Sequence, residues 1–144
     1  MSNSLYEQDF FAWTNEQAAL LRAGKLHDID IENVAEEIES MGRSQKSERV
    51  NRLAVLFALL LKWRHQPGFR GNSWRLTIQE RRLQIQRHMR DNPSLKSHLA
   101  EAMTDAYHLA RIKAERETGL RSTSFPDTCP FIFDDAMSDS FWPD

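Results

Sequence analysis

A single cysteine, Cys129, excludes any intrachain disulfide and gives no sign of an oxidising compartment. Five glycines and five prolines are too few for a linker-rich or low-complexity chain. The longest apolar run covers residues 53–61, nine residues where a bilayer span needs about 20. The opening MSNSLYEQDF lacks the basic start and apolar middle of a signal peptide, so the cytoplasm is the expected compartment and no membrane partner is expected. There is no glycine-rich phosphate loop, no serine in a nucleophile elbow and no cysteine or histidine pair at zinc-finger spacing. These absences argue against an enzyme. A chain of 144 residues also buries roughly 70% of its unfolded surface without help from a metal or cofactor, so none is expected.

What the chain does have is VNRLAVLFALLLKW, residues 50–63. A helix over residues 53–61 is apolar on every side and must be covered by other elements. Charge is distributed just as unevenly. Residues 43–90 hold 12 Lys and Arg against two acids, Glu48 and Glu80, while the rest of the chain holds seven basic and 19 acidic residues. A basic middle between acidic flanks fits either an anionic partner or packing of acidic against basic elements.

In chain order, Ser4 and Glu7 form a capping box that opens a first helix over residues 4–24. Its buried stripe is Tyr6, Phe10, Trp13, Leu20 and Leu21, with Gly24 as the stop. Asp30 caps a second, acidic helix whose apolar stripe is Ile31, Val34, Ile38 and Met41. Gly42 ends it or bends it into a third helix over residues 44–66, which closes in Lys62, Arg64 and His65 at the negative end of its dipole. A fourth helix over residues 73–90, capped by Asn72 or Ser73, has two apolar sides. Trp74, Ile78, Ile85 and Met89 share one, and Leu76 and Leu83 stand nearly opposite. A fifth helix starts at Pro93, carries Leu95, Leu99, Ala102, Met103, Ala106 and Ala110 on one face, and ends at Gly119. From Leu120 the prolines and aromatics read as an irregular strap, with one helical turn over residues 131–137.

Several constellations bear on chemistry. Arg75, Arg82 and Arg90 form a basic ridge on the fourth helix that can track nucleic-acid phosphates, although a whole-chain pI near 6.2 counts against that use. Replacing all three by Gln separates the readings, because a phosphate ridge loses binding and an internally paired one loses stability. Leu76 and Leu83 are the candidate oligomer face. Carboxylates at Glu32, Glu36 and Glu39, beside Glu37 and with His65 in reserve, have metal-ligand spacing, yet no Glu-x-x-His accompanies them. His98, Glu101, Asp105 and His108 form a second such stripe on the fifth helix, displaced from its core face, where an exposed polar surface is the simpler reading. Cys129 has no histidine near it in sequence to activate it and reads as structural.

The segments YEQDFFAWTNEQAALLRAGK, ENVAEEIESMGRS, LLKW ahead of a proline, SWRLTIQERR and a closing FWP, in that order, resemble the bacterial family catalogued as domain of unknown function 29. The resemblance spans nearly the whole chain and implies a small all-helical bundle. It brings no activity, cofactor or catalytic residue with it. The expectation is one all-α domain over residues 1–144, a bundle of about five main helices to residue 119 and a strap from 120 packed on it. Its expected role is a non-enzymatic interaction module that binds itself or another protein. Nucleic-acid binding, and less so a metal-dependent nuclease, are the alternatives.

Overall fold

The computed structural model describes residues 2–144, with side chains from Leu5 onward. Among the described residues the chain forms six α-helices and no strand: α1 (Ser2–Gln8), α2 (Phe10–Arg22), α3 (Ile31–His65), α4 (Asn72–Asp91), α5 (Leu99–Thr118) and α6 (Phe133–Met137). The protein is an all-α helical bundle. Its contacts cluster into two units, Met1–Gln45 and Lys46–Asp144.

In the first unit the expected single helix over residues 4–24 is two. The break falls at Asp9, whose Oδ1 accepts the Ala12 N–H at 3.0 Å and so caps α2. The side chain of Ser4, the expected cap, lies outside the described residues. Gly24, at φ +71°, turns the chain left-handed just beyond α2, a conformation open to glycine at little cost. The Trp13 indole is 2% exposed and donates to Asp30 Oδ2 at 3.0 Å, while the Gln17 side chain accepts the Asp30 N–H at 2.8 Å. Asn33 donates to the same Asp30 carboxylate, and the Tyr6 hydroxyl donates to Glu37. Asp30, just ahead of α3, and Asn33, Val34 and Glu37 in its first two turns therefore face inward, a largely polar stripe at helical spacing. Ile31, Ile38 and Met41 are exposed, as are Phe10 and Leu21, contrary to the buried apolar stripes expected from spacing. Hydrogen bonds to tryptophan and tyrosine, rather than aliphatic contact, decide which side of this segment turns in.

Helix α3 runs through Gly42 without interruption. A Cβ added at Gly42 would meet nothing within 4 Å. The second unit is built round the C-terminal part of α3. Leu53, Leu56, Phe57, Leu60 and Leu61 are fully buried, covered by Ile78, Ile85 and Met89 of α4, by Ala102, Ala106, Tyr107 and Ala110 of α5, and by Phe125, Phe131 and Met137 of the strap. Alanines on α5 allow close approach of a smooth helix surface to the large side chains of α3. The N-cap position of α4 falls on Gly71, not on Asn72 or Ser73. Pro93 opens a 3-10 turn, Pro93–His98, that precedes α5, and Gly119 closes α5 at φ +76°. The helical turn expected at residues 131–137 is α6, which packs on α4.

Two predictions arise here. Gly42→Ala should raise stability by about 0.5–1 kcal/mol, since it removes unfolded-state freedom at an unstrained, uncrowded helical site; a fall in the urea midpoint would show that α3 is not continuous there. The chain has two tyrosines, and both phenols are held well above the ordinary 10.0. Tyr6 is pushed up to about 12, chiefly by its hydrogen bond to Glu37, and Tyr107 to about 12 by burial. Because the folded values lie above the unfolded ones, this stabilisation is complete below pH 10 and is lost as pH rises towards 12. Ultraviolet titration of the native protein should show no phenolate step near pH 10, whereas the urea-unfolded chain should show both there.

Candidate functional site

Helix α4 carries the densest set of candidate residues, and its periodicity sorts them. At about 100° per residue, Ile78, Ile85 and Met89 turn into the core and Leu76 and Leu83 lie on the far side. Leu76 is 50% exposed and Leu83 59%. Glu80 and Arg87, one turn beyond each leucine, are exposed on the same side.

The expected basic ridge does not form as a surface feature. Arg82 is fully buried: its Nε donates to Ala136 O at 2.7 Å, its Nη2 donates to Phe141 O at 2.6 Å, and its guanidinium lies 5.0 Å from the Trp142 ring centroid. Burial lowers its pKa, yet a guanidinium stays charged. Carbonyl dipoles and an indole face take the place of a carboxylate. The side chain is thus consumed in holding the strap and is withdrawn from solvent phosphate. Arg75 and Arg90 are exposed, and each has a neighbour on its own helix, Asn72 Oδ1 at 2.6 Å and Asp91 Oδ1 at 3.4 Å. A second buried arginine, Arg49, donates to Leu95 O and to His98 O, so it ties α3 to the turn that leads into α5.

The carboxylates of α3 disperse. Glu32 and Glu39 are exposed, Glu36 pairs with Arg43 at 2.9 Å, and Glu37 accepts from Tyr6. His98, at the end of the turn before α5, and Glu101, Asp105 and His108 on α5 are all exposed. Among the described residues no three His, Cys, Asp or Glu side chains are grouped so as to hold one metal ion. His65 stands edge-on to Phe125, 5.0 Å between ring centroids, and burial holds its pKa below the ordinary value. Cys129 is half-buried, points its thiol at Phe131 O at 3.6 Å, and has its pKa pushed up by burial, the opposite of an activated nucleophile.

Spacing alone did not bring out a recess of about 210 Å³ where α3, α4 and α5 meet. Lys62, Arg81 and Lys113 line it together with Val55, Ala58, Leu59, Thr77 and Glu117. Lys62 Nζ is 3.2 Å from Glu117 Oε2 and 5.0 Å from the Trp74 ring centroid. Arg81 Nη1 donates to Gln84 Oε1 at 3.2 Å, and its Nε is buried with no hydrogen-bond partner. The only sequence trace of this set is that Arg81 lies between the core and solvent sides of α4.

Arg82→Ala should cost about 2–4 kcal/mol in urea denaturation, because it leaves the Ala136 and Phe141 carbonyls unpaired and a cavity beside Trp142. Arg75→Ala should change stability by less than about 0.5 kcal/mol. Equal effects would contradict the division of the arginines into one buried and one exposed.

No curated protein and no solved structure matches the chain significantly. A family model does, described as Domain of unknown function DUF29, over residues 5–142. Given a match across nearly all of its length, the chain belongs to the DUF29 family.

Proposed function

We propose that the chain is a non-enzymatic protein-interaction module whose partner is a second copy of itself, joined through the outer side of α4. The observation that carries this is the exposure of Leu76 and Leu83 on a helix whose opposite side already serves the core. The composition of that side favours self-pairing. A two-fold axis crossing an antiparallel pair of α4 helices near Leu83 stacks Leu83 on its symmetry mate, and sets Glu80 opposite Arg87 of the other copy, twice over. The four half-exposed leucines of such a pair contribute about 3–6 kcal/mol. Association itself costs about 4–15 kcal/mol, so leucine burial alone does not hold such a pair, and the two Glu80–Arg87 pairs with the flanking surface of α4 must add to it.

The single cysteine suits a reducing compartment, which supports a cytoplasmic setting, and no helix among the described residues is long and apolar enough to cross a membrane. Nucleic-acid binding through Arg75, Arg82 and Arg90 is the weaker reading, because Arg82 is spent on the strap. A metal-dependent nuclease is weaker again, with the α3 carboxylates dispersed.

Sedimentation equilibrium over a wide concentration range should show a monomer–dimer equilibrium that Leu83→Glu shifts to monomer without lowering the melting temperature. A wild-type chain that stays monomeric throughout would overturn the proposal.

A further inference from the structure

Three cations gather in the recess between α3, α4 and α5 against one acid. Lys62 comes from α3, Arg81 from α4 and Lys113 from α5, and Glu117 alone opposes them. Lys62 spends one of its three N–H donors on Glu117. Arg81 spends one N–H on Gln84 Oε1, and its buried Nε has no partner. The positive charge left over after Glu117 is two. On the α3 side the wall is apolar, formed by Val55, Ala58 and Leu59, and the Thr77 hydroxyl is already donated to Ser73 O.

From this we infer that the recess is a binding site for a small phosphomonoester, with the phosphate among Lys62, Arg81 and Lys113 and the organic body against Val55, Ala58 and Leu59. Charge and size both select this class. A phosphomonoester carries about −1.5 to −2 at neutral pH, which matches the unbalanced charge of the lining. A recess of about 210 Å³ is below the usual 300–1,000 Å³ of sites for drug-sized ligands, so it suits a compact molecule and not a length of nucleic-acid strand. Arginine brings directional donors and the lysines bring point charge, the division of labour that phosphate sites use. The site is separate from the Leu76 and Leu83 side of α4 and does not depend on self-association.

The test is calorimetric titration of the full chain with phenyl phosphate, inorganic phosphate and phenol. Phenyl phosphate should bind, inorganic phosphate should bind more weakly because it leaves the apolar wall unused, and phenol should not bind. Lys113→Gln and Arg81→Gln should each weaken phenyl phosphate by about tenfold or more, the worth of one charge-assisted hydrogen bond, whereas Arg121→Gln, an exposed cation elsewhere, should leave it unchanged. Affinity should fall as pH drops through about 6, where the phosphate loses its second charge. An oligonucleotide carrying a 5′-phosphate, compared with its 5′-hydroxyl form, tells a strand end from a free small molecule: a preference for the phosphorylated end at the affinity of phenyl phosphate makes the strand end a source of the same ligand. Lack of phenyl phosphate binding, equal binding by phenol, or binding untouched by Lys113→Gln in a variant that melts like the wild type would each overturn the site.

Discussion

A helix that is apolar all the way round needs cover on every side, and most of the second unit follows from that requirement on α3. Two helices cannot enclose a third completely. Helices α4 and α5 cover part of its circumference, and the strap supplies Phe125, Phe131 and Met137 for the rest. The irregular segment is irregular because its task is to fit a gap between helices, for which prolines and large rings are better suited than another regular element. Removing water from residues 53–61 is the driving term, and the placement of the other elements serves it.

Covering the core this way leaves the strap short of regular hydrogen bonds, and Arg82 answers that shortage. Its planar donors reach two strap carbonyls, and Gln86 takes a third, that of Met137, at 3.0 Å. Arg70 joins a carbonyl of the last turn of α3 to one of the strap, donating to Trp63 O and Pro143 O. A basic segment can therefore be rich in arginine for reasons of backbone satisfaction. Carbonyl oxygens are acceptors as anionic phosphates are, and the sequence does not say which kind an arginine meets.

How much was legible follows the same division. The apolar run of α3, the two-sided α4, the alanine-rich face of α5 and the helical turn of the strap all declare themselves through spacing, since burial of aliphatic groups is periodic. The family was legible from five dispersed segments, and the match over residues 5–142 shows it. What spacing could not give was any feature fixed by a single polar contact, local or distant. Asp9 splits the first helix by a local cap, and Asp30 is fixed by Trp13 from 17 residues away. Arg82 is fixed by carbonyls more than 50 residues off. In the first unit such contacts override the apolar spacing, which turns Phe10, Leu21, Ile31, Ile38 and Met41 inward where the structure exposes them. The recess lined by Lys62, Arg81 and Lys113 was hidden for the same reason, its members coming from three helices.

Cys129 gives the strap an observable of its own. The chain has one thiol, and it sits in this segment, half-buried and protonated. Disulfide reagents attack through the thiolate, which this environment disfavours, so a molecule with its strap seated reacts more slowly than one in which the segment has lifted. The rate of labelling therefore rises with local opening of the strap, apart from unfolding of the helices beneath.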